Sequence, residues 1–414
     1  MEKESKKEAE VKEEFEDVPV SINLGDVYMA NRKVREVARK TDLVKSTVYD
    51  NVYLKTENLQ NTGSFKVRGA YYKISTLTDE EKAKGVVACS AGNHAQGVAL
   101  SCKKLHIPAT IFMPATAPVS KIEATRSYGA EVKLVGLSYD DAYEAALEFN
   151  KVEDKTFIHP FNDETLIAGQ ATVGLEIVEQ MEDVDIVVVP IGGGGLISGV
   201  SFAVKNLKPD CKIIGVEAQS ADSMYQSLEA GQIKDVKKVS TFADGIAVKT
   251  PGDITYKYVK KYVDEIVTVN EDEIADAVLQ LIEKQKIVAE GSGAVPYAAL
   301  MNNKFEWTGK KVALVVSGGN IDVQVINRAI TRGLIVEGRR ASLEVSMYDA
   351  PGQLTQVSEI FAKLGANVLE IQPYSSEINM AVNSIITKFG LETRDHQHID
   401  QIKNELRKNG FEVK

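Results

Sequence analysis

From about residue 25 to about residue 340, short β-branched apolar runs alternate with stretches whose apolar residues recur at helical spacing. No other feature constrains the fold as much. Strands that follow one another through helices lie parallel, and the helices then cover both sheet faces. The runs that read as strands are Gly85–Cys89, Thr110–Met113, Glu131–Val135, Asp185–Val189, Lys212–Glu217, Glu265–Val269 and Lys311–Ser317. Asn270 and Glu273 are spaced as a capping box, and Ile274, Val278 and Leu281 follow on one helical face. The class expected is α/β. In such sheets ligands sit beyond the carboxyl ends of strands, where loops enter helices, so chemistry is sought just after each strand.

At 414 residues the chain exceeds one typical domain. Its 49 basic and 59 acidic residues give a net charge of −10, and no basic stripe with interleaved aromatics offsets it. That balance argues against a nucleic-acid partner. Cys89, Cys102 and Cys211 are odd in number and form no C-x-x-C pair, a pattern of a reduced, cytoplasmic protein rather than a disulfide framework. The first 17 residues carry eight acids and four bases without an apolar stretch, so residues 1–20 read as a tail and not as a signal sequence. Ile186–Val204 holds no charge, but Pro190 and Gly192–Gly195 interrupt it. Strand, loop and helix describe it better than a membrane span.

Residues 342–414 read differently. Ser342–Met347 is a strand, Asp349–Gly352 a turn, and Leu354, Val357, Phe361 and Leu364 mark a helix capped by Gly365. Val368–Ile371 and Met380–Ile386 are two further strands. A helix bearing Ile399, Ile402 and Leu406 ends at Gly410, before a last strand Phe411–Val413. The order βαββαβ is that of a ferredoxin-like small domain. His396 and His398 read as a solvated face of a polar helix, since no further ligands are spaced with them.

Four segments carry candidate chemistry. Ser90-Ala91-Gly92-Asn93-His94-Ala95-Gln96-Gly97 follows a strand; its small residues permit close backbone approach to an anion at a helix start, or Asn93 caps that helix. Gly192–Gly195 forgoes backbone entropy. A phosphate taking several amide bonds at about 1.5–3 kcal/mol each would compensate, and a plain flexible loop is the alternative. The segment fits neither a P-loop nor a dinucleotide fingerprint. Ser317-Gly318-Gly319-Asn320 closes the last strand, where a hydroxyl is ordinarily a cap. Lys66, between Phe65 and the apolar Ala70, Tyr71 and Tyr72, stands where burial would favour a neutral, nucleophilic amine.

Taken together, Ser64-Phe65-Lys66-Val67-Arg68-Gly69, the Ser90–Gly97 loop, the four glycines and Ser317–Asn320 resemble the threonine dehydratases (threonine ammonia-lyases) over about residues 25–335. The resemblance implies the two-lobed pyridoxal-phosphate fold type II, with a catalytic domain over 21–335 and a smaller lobe, about 55–155, inserted in the larger. By the same resemblance residues 342–414 are ACT-like and regulatory. The cofactor would be pyridoxal 5′-phosphate, held as a Schiff base on Lys66. Asn93 would bond the ring hydroxyl, Phe65 would pack by the ring, Gly192, Gly193, Gly194, Gly195 and Leu196 would cradle the phosphate, and Ser317 would bond the ring nitrogen. A neutral hydroxyl at that nitrogen makes a weaker electron sink and favours loss of a β-leaving group over transamination. Lys66 would take the Cα proton, and amides of Ser90, Ala91, Gly92, Asn93 and His94 would hold the substrate carboxylate. Water and then ammonia would leave threonine or serine, giving 2-oxobutanoate or pyruvate, in isoleucine biosynthesis or threonine catabolism.

Rival readings differ at named residues. Serine racemases are similar at Lys66 and the glycines but have a second serine at Ala91, the acid that returns a proton on the opposite face. Cysteine synthases typically have Asp where Val67 stands. A catalytically silent amino-acid sensor would have no use for Lys66. The racemases' cation site maps to Glu217, Ala221 and Ser223, and Ser223 in place of Asp points to a monovalent ion or none; a hydrogen-bonded strand end explains Glu217 equally. Glu290, in Glu290-Gly291-Ser292-Gly293-Ala294, resembles a loop near the cofactor ring, or serves as a helix N-terminal carboxylate. The ACT resemblance implies a branched amino-acid effector, isoleucine or valine, acting near Asp349–Gly352, and a homodimer or homotetramer.

Overall fold

A computed structural model describes residues 20–374 and 383–414. The first 19 residues, expected as a tail, lie outside these. The chain divides into one compact unit ending at Ile326 and a second, Asn327–Lys414.

In the first unit β1 (Leu43–Lys45) and β2 (Val52–Thr56) lead to α1 (Lys66–Ser75) and then to β3 (Val86–Cys89), α2 (Asn93–Leu105), β4 (Ala109–Met113), β5 (Glu131–Leu134) and β6 (Thr156–Phe157). Next come α3 (Glu164–Gln180), β7 (Ile186–Pro190), α4 (Gly195–Leu207), β8 (Lys212–Ala218), α5 (Ser223–Glu229), β9 (Glu265–Val269), α6 (Glu271–Gln280), α7 (Gly291–Met301) and β10 (Val312–Val316). One sheet has the order β1-β2-β10-β7-β8-β9 and the other β5-β4-β3-β6. All pairings are parallel except β1 with β2. The smaller sheet is continuous in sequence and falls between β2 and β7 of the larger. Central strands β3, β4, β7 and β10 are buried throughout, which is why they read as unbroken apolar runs. Val187, Val189, Ile197, Val200, Ala313 and Val315 pack in one core, and Ala88, Ile111, Met113 and Ile158 in another. The uncharged window resolves into β7, a glycine loop and α4, and among the described residues no helix is long and apolar enough to cross a membrane.

β1, β2 and β6 were not expected. β2 escapes because Lys55 interrupts its apolar run, yet Lys55 is fully buried and donates to Glu176 at 2.7 Å and to the Thr41 carbonyl at 2.6 Å. Arg68, on α1, bonds Glu57 through Nε (2.8 Å) and Nη2 (2.7 Å), and Glu176 through Nη1 and Nη2 (2.8 Å each). Two cations and two carboxylates thus neutralise one another beneath α1.

The second unit comprises β11 (Arg340–Tyr348), α8 (Gln353–Leu364), β12 (Asn367–Tyr374), β13 (Ser384–Glu392), α9 (His396–Lys408) and β14 (Glu412–Val413). Its antiparallel sheet has the order β12-β13-β11-β14. Val345, Phe361, Phe389, Leu391, Ile402 and Leu406 form the core. Gly365 caps α8 at φ 78°, as expected. β13 runs further than the expected Met380–Ile386, of which residues 380–382 lie outside the described ones. Its inward residues continue as Thr387, Phe389 and Leu391, and the polar Thr387 and Lys388 obscured that alternation. His398 corrects the expectation of a solvated face. It is buried, its Nδ1 accepts from the Arg394 amide at 3.1 Å, and its Nε2 donates to the Leu364 carbonyl at 3.0 Å. A satisfied core histidine closes the start of α9.

Candidate functional site

The loops after β2, β3, β7 and β10 meet at the carboxyl ends of the two parallel sheets. The Lys66 loop is zipped to the end of β10: the Phe65 amide donates to the Ser317 carbonyl (3.1 Å), the Gly319 amide to the Gly63 carbonyl (2.9 Å), and Ser64 bridges Gly318. Lys66 is therefore the first residue of α1, and its stem begins on a rigid element. Helix α2 closes on the same point at Gly97, where a Cβ would lie 3.1 Å from the Lys66 carbonyl carbon. Larger residues at Gly97 would push Asn93 away.

Lys66 Nζ donates to the Pro160 carbonyl at 2.7 Å and lies 5.4 Å from the centre of the Phe65 ring. Burial pushes its pKa down to about 8, against the opposing pull of Glu290. A neutral amine is thus accessible near neutrality, as nucleophilic chemistry needs. His94 is buried, and its Nε2 donates to the Ile158 carbonyl at 2.9 Å, while Nδ1 has no partner. Burial first, and the Lys66 charge second, hold this ring neutral, its pKa lowered to about 3. Ser64 Oγ is likewise buried and unpartnered.

Asn93 is the first residue of α2 and does not cap it, the cap position being Gly92. Its Nδ2 donates to Glu290 Oε1 and its Oδ1 accepts from Asn320 Nδ2, each at 2.7 Å. Glu290 is buried, and its pKa is raised to about 7 by burial and Asp244, opposed by bonds from Ser292 and Asn93. Ser90 Oγ accepts from the Gly92 amide at 3.2 Å, and Ala91 sits half-buried between them.

After β7, Gly194 adopts φ 93°, open to glycine at low strain. A Cβ on Gly193 would meet the Phe161 ring at 2.3 Å, and one on Gly192 would meet Ile246 Cα at 2.8 Å. The Gly193 carbonyl accepts from Thr255 Oγ1 at 2.6 Å, which holds the loop in place. Helix α4 starts at Gly195 with no side-chain cap, so the first amides after the glycines, including that of Leu196, remain as donors for an anion. Ser317, buried at the end of β10, places Oγ 3.5 Å from the Ser292 carbonyl.

Glu217, Ala221 and Ser223 come together at the end of β8. Both Glu217 oxygens accept amides, from Met224 at 3.0 Å and Tyr225 at 2.8 Å, and Ser223 Oγ donates to the Val248 carbonyl at 3.0 Å. Among the described residues no group of three or more His, Cys, Asp or Glu side chains is arranged to hold a metal.

Residues 34–318 match the family of pyridoxal-phosphate dependent enzymes. An L-threonine ammonia-lyase of Thermotoga maritima is 52% identical over 95% of this chain and 99% of its own. The chain belongs to the pyridoxal-phosphate dependent enzymes. Among solved structures, threonine deaminase isoform 2 of Solanum lycopersicum superposes with a TM-score of 0.70, at 36% identity over 76% of this chain and 95% of that one. Maize serine racemase gives 0.72, at 34% identity over 77% and 99%.

The residues present fit pyridoxal phosphate. A buried lysine with a lowered pKa is bonded to the Pro160 carbonyl, and the next residue, Phe161, packs on a glycine cradle that Cβ atoms would fill and that opens an uncapped helix start; Ser64 Oγ and His94 Nδ1 are buried without partners. For this enzyme family, sequence reading missed Phe161, whose ring closes the glycine loop, and Pro160, whose carbonyl holds Lys66. A backbone acceptor leaves no signature in a sequence. The consecutive His159-Pro160-Phe161-Asn162, apolar and turn-forming right after β6, was the available signal for Phe161.

Proposed function

We propose that this enzyme is an L-threonine ammonia-lyase, converting threonine to 2-oxobutanoate and ammonia and accepting serine to give pyruvate. The observation that carries the reading is Lys66 Nζ, with its lowered pKa, held on the Pro160 carbonyl next to Phe161, whose ring packs on the glycine loop. The near-full-length likeness to the Thermotoga protein supports it.

When bound, pyridoxal phosphate supplies an electron sink that acidifies the Cα proton of an amino acid. Gly192 to Leu196 and the start of α4 would hold its phosphate. Asn93 would bond the ring oxygen, Ser317 would bond the ring nitrogen, and Phe65 would pack by the ring. Lys66 would anchor the cofactor and would serve as the base for the Cα proton. General-base action of this kind contributes about 10²–10⁴-fold. Amides of Ser90 to His94 hold the substrate carboxylate. Ala91 carries no group able to return a proton to the opposite face, which favours elimination over racemisation. Product analysis with threonine and serine, on wild type and Lys66→Ala, tests this: 2-oxobutanoate and ammonia from wild type only. D-serine formed from L-serine faster than pyruvate would instead support a racemase.

The reading extends to two further sites. A monovalent ion, or none, belongs at Glu217, Ala221 and Ser223; activity unchanged by a chelator but sensitive to potassium exchange would identify the ion. The second unit is an ACT-like, ferredoxin-like regulatory domain, supported by its β-α-β-β-α-β order and by a turn in which the Asp349 amide donates to the Asn383 carbonyl at 2.9 Å and Gly352 has φ 95°. Isoleucine, acting there, alters turnover. A truncation at about residue 338 that keeps the isoleucine response refutes it.

A further inference from the structure

The hydrogen-bond polarity around Asn93 can be read outward from a backbone group. The Thr62 carbonyl only accepts, and Asn320 Nδ2 donates to it at 2.6 Å. The two ends of a carboxamide match in shape but not in chemistry, so the end of Asn320 facing Thr62 is its nitrogen. That nitrogen also donates to Asn93 at 2.7 Å, so the end of Asn93 facing Asn320 is its oxygen. The nitrogen of Asn93 then faces Glu290 Oε1 at 2.7 Å, and Ser292 Oγ donates to the same oxygen at 2.7 Å. The chain has one direction from Thr62 to Glu290.

Two glycines make room for it. A Cβ on Gly63 would lie 2.3 Å from Asn320 Oδ1, and one on Gly318 would lie 2.4 Å from Glu290 Oε1 and 3.2 Å from Asn93 Nδ2. Glu290 is 3% exposed, so water cannot replace it as an acceptor without rearrangement. Of the two hydrogens on Asn93 Nδ2, one serves Glu290.

We propose that Asn320 and Glu290 are positioning residues that lock the Asn93 carboxamide in a single orientation, reserving its second N–H for the oxygen of the cofactor ring. The inference rests on the reading that Asn93 meets that ring. A flipped Asn93 would present its oxygen there, acceptor against acceptor, would set that same oxygen against Glu290 Oε1, and would turn its nitrogen toward the donor nitrogen of Asn320.

The test compares Asn93→Ala, Asn320→Ala, Asn320→Asp, Glu290→Ala and Glu290→Gln as holoenzymes. It reads the visible absorbance band of bound pyridoxal phosphate across pH and the cofactor Kd by fluorescence, with circular dichroism to confirm folding. Loss of one such bond predicts a Kd raised about five- to tenfold and a shifted band for Asn93→Ala, reproduced by Asn320→Ala and Glu290→Ala. Glu290→Gln keeps an acceptor for Asn93 and restores the wild-type band. Asn320→Asp, isosteric, removes the donor and forces the flip, and it decides the matter should Asn320→Ala not fold. If Asn93→Ala shifts the band while folded Asn320 and Glu290 variants keep the wild-type band and Kd, positioning is overturned and the role of Asn93 stands. If Asn93→Ala itself changes neither readout, the underlying reading falls and the inference with it.

Discussion

Replacing Arg68 by alanine removes a guanidinium that bonds both buried carboxylates beneath the Lys66 helix. Its guanidinium makes paired bonds to Glu57 and to Glu176, all between 2.7 and 2.8 Å. Thr172 and the Arg39 carbonyl take further bonds from it, at 3.1 and 3.2 Å. Without it, Glu57 and Glu176 face Lys55 alone, one negative charge in excess. Each lost attraction is worth roughly 4 kcal/mol at about 4 Å and an effective dielectric near 20. Protonation and water entry return part of that, leaving a net loss of about 3–5 kcal/mol, a large share of the ~5–15 kcal/mol that holds a typical domain folded. At a slope of about 3 kcal/mol per molar urea, the unfolding midpoint falls by about 1–2 M. The pH dependence carries a sign. Burial by itself would raise the Glu57 pKa, but the charge and bonds of Arg68 outweigh it and hold that pKa below the usual carboxylate value. Wild type therefore keeps this contribution above the ordinary carboxylate pKa and loses it as pH falls through the depressed one. In Arg68→Ala burial wins, the carboxyl pKa rises, and the penalty is greatest at high pH. The gap between the two proteins should narrow on acidification from about pH 8 to about pH 5. A deficit below about 1 kcal/mol, or a gap that widens with acid, would falsify the account.

Three further outcomes are expected. The rate at which apoenzyme takes up pyridoxal phosphate should rise about tenfold per pH unit and level off above about 8, as Lys66 loses its proton; stopped-flow absorbance measures it, and a flat profile from pH 6 to 9 counts against a buried amine with a lowered pKa. Gly193→Ala forces a Cβ against the Phe161 ring, and Gly194→Ala strains a residue at φ 93° by roughly 1–2 kcal/mol; both should weaken cofactor binding in equilibrium titrations, with Gly193→Ala relieved by adding Phe161→Leu. His398→Phe leaves the Leu364 carbonyl and the Arg394 amide without partners, a loss of about 1–3 kcal/mol that should appear as faster hydrogen exchange over residues 396–408.

The parts of this fold and site that could be read from the sequence share one physical property: a side chain or backbone requirement that is local. β7 and β10, buried on both faces, had to be continuous apolar runs. Gly192–Gly195 and Lys66 stand out because their neighbours along the chain already make them improbable as surface loop or surface charge. What escaped depends on partners far away in sequence. Lys55 looked like a reason to end a strand, because nothing beside it shows Glu176 waiting 2.7 Å away. His398 looked solvated because Leu364, whose carbonyl satisfies it, lies on another helix.

Asn93 joins the two cases. Its presence in the loop after β3 was legible, and the choice between helix cap and ligand-facing amide was not, since that choice is made by Asn320, 227 positions later, and by Glu290, 197 positions later. A carboxamide has no orientation of its own; the groups on either side give it one. The loop after β3 therefore announces which chemistry is available, while residues distant along the chain determine how its carboxamide is turned.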